Sequence, residues 1–238
     1  MFVPVVDRQQ RPLMPTAPSR ARRWIKRREA TPFWKGGIFC VRLNREPSGR
    51  VVQPIAVGID PGSKKEGLTV KSADHTFLNI NADAVTWVKK AVEARRMMRR
   101  ARRSRKTPCR ANRQNRARGG LPPSTHARWG WKLRLARWLA RLYPVTQFVV
   151  EDIAAVTKPG QRRWNKSFSP LEAGKRWFYA ALAEIAPVKT KQGWETKELR
   201  DGLGLKKTKA KLAELISAHY LDSWVLANWL TGGHTKPD

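Results

Sequence analysis

Short apolar runs that end in an acid are the clearest feature of the 238-residue sequence. Residues 55–59 are apolar or glycine and lead into Asp60 and a Pro-Gly turn, which predicts a strand ending at the rim of a sheet. Residues 146–150 lead into Glu151 in the same way. Further strand patterns at 67–70 and 76–80 should pair in sequence as a meander.

Helical spacing of apolar residues follows both runs. It predicts helices at 124–142, at 171–185 and from 208 to 230, with a short strand at 187–190. Between that strand and the last helix we expect a basic loop broken by Gly202 and Gly204. Because strands and helices alternate, the pattern predicts an α/β layer in which helices pack on a sheet.

A small N-terminal module precedes the first acidic strand end. Strand patterns at 3–6 and 39–43 accompany the segment Pro12-Leu13-Met14-Pro15 and a basic helix near 19–28. Pro47 and Gly49 then indicate a linker, so the module should end near residue 54.

The charge balance points to a polyanionic partner. The chain has 49 Lys and Arg against 18 acids, a formal charge of +31, which opposes compaction unless a nucleic acid neutralises it. Cys40 and Cys109 lack the spacing of a zinc site or a disulfide framework, which predicts a reducing compartment. No apolar run approaches the roughly 20 residues of a membrane helix and no signal peptide is evident, so we expect a cytoplasmic protein without a membrane partner.

Basic residues are most concentrated between positions 87 and 118, where 14 are Lys or Arg and Glu93 is the single acid. A helix that is basic around most of its circumference cannot pack dry on a core. It is either a solvated arm or a segment that runs along phosphate backbones, and we favour the second because guanidinium groups pair with phosphate and release counterions. The arginines that we expect to contact phosphates are Arg95, Arg96, Arg99, Arg100, Arg102 and Arg103.

Asp60, Glu151 and Asp222, in the late helix, form a candidate metal site. Phosphodiester hydrolysis benefits from two Mg²⁺ ions roughly 4 Å apart, and hard cations prefer carboxylate oxygens. Each acid alone has an ordinary alternative role: Asp60 as a turn residue, Glu151 as a cap of the following turn and Asp222 as a charge on a helix face. Their joint placement at the margins of apolar segments favours the metal site.

Two neighbours of these acids leave alternatives open. His219, three residues before Asp222, shares a helix face with it and could relay a proton or steady a phosphate, or could simply be satisfied by a neighbour. Asp152 is a rival to Glu151, since the two point to opposite sides of a strand and periodicity does not choose between them.

The sequence also contains 11 tryptophans. Stacking on unpaired bases is our prediction for Trp164 alone. Core packing is the better interpretation for Trp131, Trp138, Trp177 and Trp224.

The order of the motifs resembles that of the transposon-encoded IscB and IsrB proteins, compact relatives of the RNA-guided CRISPR type II effector nucleases. The resemblance spans essentially the whole chain. It is carried by Pro12-Leu13-Met14-Pro15, Gly58-Ile59-Asp60-Pro61-Gly62, the arginine-rich helix, Val150-Glu151 and His219-Tyr220-Leu221-Asp222.

The spacing between the last two motifs favours IsrB. IscB proteins carry an HNH nuclease domain there and IsrB proteins do not. Only 70 residues separate Glu151 from Asp222, and none before His219 is a histidine, so an HNH domain does not fit.

The resemblance implies an RNase H-like (RuvC-like) mixed sheet with flanking helices, an inserted arginine-rich bridge helix and a small N-terminal PLMP module. The implied organisation is an N-terminal PLMP domain at 1–54, RuvC-like parts at 55–86, 119–186 and 187–238, and the bridge helix at 87–118.

The implied activity is RNA-guided nicking of the non-target DNA strand. Asp60, Glu151 and Asp222 would bind two Mg²⁺ ions, with Mn²⁺ able to substitute, and His219 would be their catalytic neighbour; Glu151 is thereby preferred to Asp152. The bridge helix would contact guide RNA, through Arg110 and Arg113 as well as the six arginines above. The implied partners are a structured omega RNA and target DNA, as heteroduplex and displaced strand, with one protein chain per RNA.

Two departures from the family and two competing functions accompany this interpretation. Ser223 stands where family members commonly have alanine. The relatives carry a further C-terminal domain that interacts with the target-adjacent motif, whereas this sequence ends 16 residues after Asp222, so we predict no motif preference. The alternatives are a non-catalytic nucleic-acid scaffold and a guide-independent nuclease of the Holliday-junction type. The resemblance places the protein in a prokaryotic cytoplasm, at the nucleoid when bound to DNA.

Overall fold

The computed structural model describes residues 2–106, 121–152, 169–206, 217–233, 235 and 237, with the backbone alone at 217–219. An N-terminal sheet comes first along the chain. Its elements are β1 (Val3–Val6), β2 (Pro12–Thr16), α1 (Pro18–Lys26), β3 (Ala30–Lys35) and β4 (Ile38–Leu43). The strand order is β2-β1-β4-β3, with β1 and β4 parallel and the other pairs antiparallel. The sequence pattern missed β3, an edge strand in which Pro32 is tolerated because one side of the strand needs no partner.

The central sheet carries the two acidic strand ends. Its strands are β5 (Ala56–Asp60), β6 (Lys65–Lys71), β7 (Thr76–Asp83), β8 (Gln147–Asp152) and β9 (Val188–Gln192). The order is β7-β6-β5-β8-β9; the first three strands form the predicted antiparallel meander, and β8 and β9 run parallel to β5. This order and these directions are those of an RNase H-like fold, and the predicted fold class is confirmed.

Helices cover both faces of the central sheet. They are α3 (Pro123–Ala140), α4 (Pro170–Ala183), α5 (Gly193–Gly202) and α6 (Ser217–Thr231), whereas α2 (Trp87–Ser104) contacts α3. On one face, Val57, Ile59 and Val150 form a buried cluster with apolar residues of α3 and α4. On the other face, α6 lies across β5 and β6 and also contacts α5. No helix in the described part of the chain is long and apolar enough to cross a membrane.

The N-terminal sheet joins the same core. Cys40 belongs to the buried cluster of the central sheet, and Phe33 and Ile38 pack against it. At the β3–β4 turn, Gly36 has a φ of 59°, and a Cβ there would lie 2.8 Å from Nε1 of Trp138 in α3. Glycine is therefore required both by the left-handed backbone and by the indole packed against it.

Three helices differ from the sequence prediction. The segment predicted as a basic loop forms α5, which begins with a capping box between Gln192 and Glu195. Helix α2 ends at Ser104, two residues before Lys106 with its φ of 53°; residues 107–120, with Arg110 and Arg113, lie outside the described residues. In α3 the buried residues are Thr125, Trp129, Lys132, Leu133, Ala136 and Leu139. Trp131 and Trp138, which were predicted to pack in the core, are half-buried.

Candidate active site

Asp60 and Glu151 end up side by side. The parallel β5–β8 ladder pairs Gly58 with Val149 and Ile59 with Val150, so these two acids are next in register. Neighbouring strands lie about 4.8 Å apart, and residues in register point to the same side of a sheet. Since Ile59 and Val150 face α3 and α4, the two carboxylates lie on the opposite face, towards α6.

Helix α6 approaches β5 at backbone distance. A Cβ on Gly58 would overlap with the carbonyl oxygen of Ser223, so only glycine permits this approach. Ser223 is fully buried, and its hydroxyl donates to the Tyr220 carbonyl (2.7 Å) and lies 2.9 Å from the hydroxyl of Thr69. The serine found in place of the common alanine therefore has all its hydrogen-bonding needs met inside the core.

The direction of α6 places Asp222 at the same edge of the sheet. Lys71, which pairs with Ala56 at the start of β5, donates through Nζ to the carbonyl of Gly232, just after the end of α6 (2.8 Å). Helix α6 thus runs antiparallel to β5, with its early residues above the end of the strand. Asp222 consequently lies on the same face and at the same end as Asp60.

Asp222 pairs with an arginine that the sequence analysis did not single out. Arg200, near the end of α5, donates from its guanidinium to Oδ1 of Asp222 at 2.6 Å. The two side chains are 14% and 6% exposed, so the pair is shielded from solvent. The capping-box signal of α5 and the resulting helical position of Arg200 could have indicated this residue.

Helix α5 also contacts the second carboxylate. Its first residue is Gly193, where a Cβ would lie 3.2 Å from Oε1 of Glu151. The amino-terminal end of a helix carries a partial positive charge that stabilises a nearby carboxylate. One short helix therefore has Glu151 at its first turn and Asp222 at its last.

Asp152, the rival of Glu151, lies on the face covered by α3 and α4. Its Oδ1 accepts hydrogen bonds from Nζ of Lys175 (2.7 Å) and the hydroxyl of Tyr179 (3.0 Å), and its Oδ2 accepts one from Gln192 (2.9 Å). Burial alone would raise the pKa of Asp152, but these hydrogen bonds lower it below its ordinary value. Both oxygens of Asp152 are thus engaged in holding α4 and β9 to the sheet.

The remaining predicted residues are only partly described. The backbone of His219 lies in the first turn of α6, one turn before Asp222, while its side chain is outside the description. Trp164 also falls outside the described residues. Of the four tryptophans assigned to the core, Trp224 is fully buried and the others are half-buried.

The donor set suits a hard divalent cation in its chemistry, because it consists of three carboxylates on one face and at one end of the sheet. Among the described side chains, however, no group of three or more His, Cys, Asp or Glu lies close enough to hold a metal ion. The Arg200 guanidinium supplies the positive charge beside Asp222. Metal binding at Asp222 therefore requires the carboxylate to share or leave this ion pair.

Helix α2 presents a basic surface. Within it Val88 is the buried residue, and Arg102 is half-buried. Exposed apolar side chains such as Met97 and Met98 show that α2 extends away from the core. The predicted nucleic-acid contacts Arg95, Arg96, Arg99, Arg100 and Arg103 are exposed.

The sequence profile of the RRXRR family, described as "RRXRR protein", matches residues 3–163. The chain belongs to the RRXRR family. RRXRR proteins are found among IscB and OMEGA types, which agrees with the broader part of the predicted resemblance. The match covers the N-terminal sheet, the first two acidic strands and α2, which contains the sequence Arg99-Arg100-Ala101-Arg102-Arg103.

No curated protein matches this RRXRR chain in sequence. Among solved structures, it is similar to RuvC of T. thermophilus in complex with a Holliday junction substrate, at 14% identity and a TM-score of 0.39, over 76% of this chain and 97% of that one. Thermus thermophilus RuvC gives 15% identity and a TM-score of 0.37, over 73% and 90%. A CRISPR-Cas12f ternary complex gives 12% and 0.38, over 84% of this chain and 44% of that one. Similarity at this level does not transfer a function.

Proposed function

We propose that this RRXRR protein is an RNA-guided DNA endonuclease of the IsrB type, which nicks the non-target strand by metal-dependent hydrolysis. The observation that supports this most is the arrangement of Asp60 and Glu151 at adjacent strand ends, on the face where α6 carries Asp222. The chain has only 18 acids, and ordinary surface charges would not be expected to gather at one edge of a sheet. Three acids on one face at that edge therefore favour a metal site.

Asp60, Glu151 and Asp222 are the residues that would hold Mg²⁺ or Mn²⁺. When bound, such ions activate water and stabilise the departing oxygen of a phosphodiester. The protein's own contribution is to hold the carboxylates on rigid elements: two paired strands, and a helix whose backbone rests on Gly58. Arg200, released from Asp222, would be near enough to balance the charge of a phosphate at this edge.

The guide RNA would bind to the exposed arginines of α2. Five exposed guanidinium groups on one solvated helix can pair with the phosphates of an RNA backbone and release its counterions. Base pairing by the RNA would supply the sequence specificity, and the protein would supply charge and the cut.

A single cut is proposed because the part of the chain that the structure describes brings the three candidate acids to one edge of one sheet. The only histidine among the 70 residues between Glu151 and Asp222 is His219, three residues before Asp222, so the segment lacks the several histidines of a second, HNH-type nuclease. One centre cuts one strand, and the expected product is a nick.

The test is a plasmid-nicking assay with protein, Mg²⁺ and an omega RNA whose guide matches one site. We expect conversion of supercoiled to open-circular DNA, with primer extension mapping one break to the non-target strand. EDTA or the variant Asp60→Asn should abolish the product.

Omission of the guide separates the alternatives. Activity on a four-way junction that persists without RNA would replace the proposal with a junction-resolving nuclease. Tight, salt-sensitive RNA binding without any Asp60-dependent cutting would leave a non-catalytic scaffold.

A further inference from the structure

Helices α5 and α6 enclose a cavity of about 480 Å³ beside the carboxylate edge, here called the α5–α6 groove. Trp194 and Trp229 stand at its walls, 68% and 37% exposed, among the apolar side chains of Leu199 and Val225. Together these side chains form a contiguous exposed apolar patch, and such a patch with a polar rim is typical of a ligand or partner site. The groove is large enough for a planar ring system of nucleobase size.

Cations lie beside the aromatic wall. Nζ of Lys191 is 4.4 Å and Nζ of Lys189 is 5.5 Å from the ring centroid of Trp229. Lys191 also bridges to Glu195 at 2.7 Å, which neutralises that acid of the groove. Aromatic rings with flanking ammonium groups are the combination that binds unpaired bases and their phosphates.

A buried polar group completes the lining. Asn228 is 8% exposed and lines the groove, where it adds an amide beside the apolar side chains of Leu199 and Val225.

The groove adjoins the candidate active site directly. The β8–β9 ladder pairs Glu151 with Lys191, and Trp194 follows Gly193, the residue packed against the Glu151 carboxylate. A nucleotide in the groove would therefore lie next to the carboxylate edge.

We propose that the α5–α6 groove binds an unpaired nucleotide of the DNA strand that is cut. The base stacks on the exposed face of Trp194, and its phosphates follow Lys189 and Lys191 towards Glu151. This assignment rests on the proposed nuclease function and adds a substrate site that holds the displaced strand in place.

The experiment measures single-strand binding without cleavage. The Asp60→Asn protein, in EDTA and at about 0.5 M salt to weaken phosphate contacts, is titrated into a fluorescein-labelled thymidine oligonucleotide of about 12 nucleotides. Trp194→Ala in that background should weaken binding about 5- to 100-fold, and Trp194→Phe should retain most of the affinity. Trp34→Ala, which removes an exposed indole from β3, is the matched control and should bind normally.

An abasic oligonucleotide isolates stacking from charge. It should bind to the parent and to Trp194→Ala with the same affinity, because it has no base to stack. Thermal unfolding should be unchanged by Trp194→Ala, since the indole is exposed.

The outcomes are separable. Normal thymidine binding by Trp194→Ala overturns the groove proposal, and if that variant also changes the sedimentation of the protein, the groove is a protein interface instead. Trp194-dependent binding combined with no nicking by the parent overturns the proposed function and leaves a single-strand site.

Discussion

At one edge of the central sheet, the acids on its two faces differ in their partners and in their exposure. On the face covered by α3 and α4, each acid is paired with a lysine from a helix. Lys132 bridges to Glu66 and Lys175 bridges to Asp152, each at 2.7 Å. These lysines are nearly buried, so the charges are neutralised inside the fold and belong to its packing.

On the face covered by α5 and α6 the arrangement is more open. Asp60 and Glu151 are half-buried at the strand ends, and Asp222 is paired with an arginine from the last turn of a short helix. Glu151 and Asp152 are adjacent in one strand, but Glu151 lies on the face of α5 and α6 and Asp152 is paired with a lysine on the face of α3 and α4. The carboxylates on one face contribute to stability, whereas those on the other are the ones that the proposed function assigns to chemistry.

The largest effects are expected when Glu151 and Asp152 are neutralised separately, which tests the difference between the two faces. Glu151→Gln should reduce Mg²⁺-dependent nicking about 10²- to 10³-fold, because it removes a charged oxygen ligand, with little change in melting temperature. Asp152→Asn should have the reverse profile, since Lys175 and Tyr179 lose a charged acceptor. Rates from plasmid nicking and thermal unfolding of both variants provide the check. Equal losses of rate in the two would remove the distinction between the faces.

The second prediction concerns the most deeply buried pair. Lys132→Met leaves Glu66, which is 1% exposed, without its cation and should lower the free energy of unfolding by about 3 kcal/mol. A chain of this size would then melt about 6–12 °C lower in calorimetry. The double variant Lys132→Met/Glu66→Gln should recover part of this loss, because no charge remains buried.

The pH dependence of Lys132→Met sharpens the same point. Burial raises the pKa of Glu66 above its ordinary value of 4.5, against the opposing attraction of Lys132. Without the lysine, a carboxyl with a raised pKa binds its proton more tightly in the folded state. The stability of the variant should therefore increase as the pH falls towards 4.5, and a pH-independent loss would contradict this assignment.

Much of this contrast could be predicted from sequence, and the limits have physical causes. Apolar runs ending in Asp60 and Glu151 predicted the two strand ends because a strand's hydrophobic pattern is local. The alternation of side chains along a strand could not choose between Glu151 and Asp152, since the choice depends on which face of the sheet α4 covers. Lys132 was unpredictable because a buried lysine requires a distant acid, Glu66, that no local pattern reveals.

Arg200 provides the smallest and most specific test of the open face. Its guanidinium occupies Oδ1 of Asp222 at 2.6 Å, so a divalent cation must compete with it. Arg200→Gln should tighten Mn²⁺ binding about tenfold, as measured by titration calorimetry or by the loss of the free-ion paramagnetic resonance signal. Arg200→Lys keeps a positive charge near the carboxylate and should stay close to the parent. If the arginine turns to the scissile phosphate once the metal is bound, the nicking rate should fall in Arg200→Gln. Tighter Mn²⁺ binding together with slower cutting is therefore the expected result for this variant.

Unchanged Mn²⁺ affinity in Arg200→Gln would mean that the ion pair contributes to packing, like the lysine pairs on the other face of the sheet.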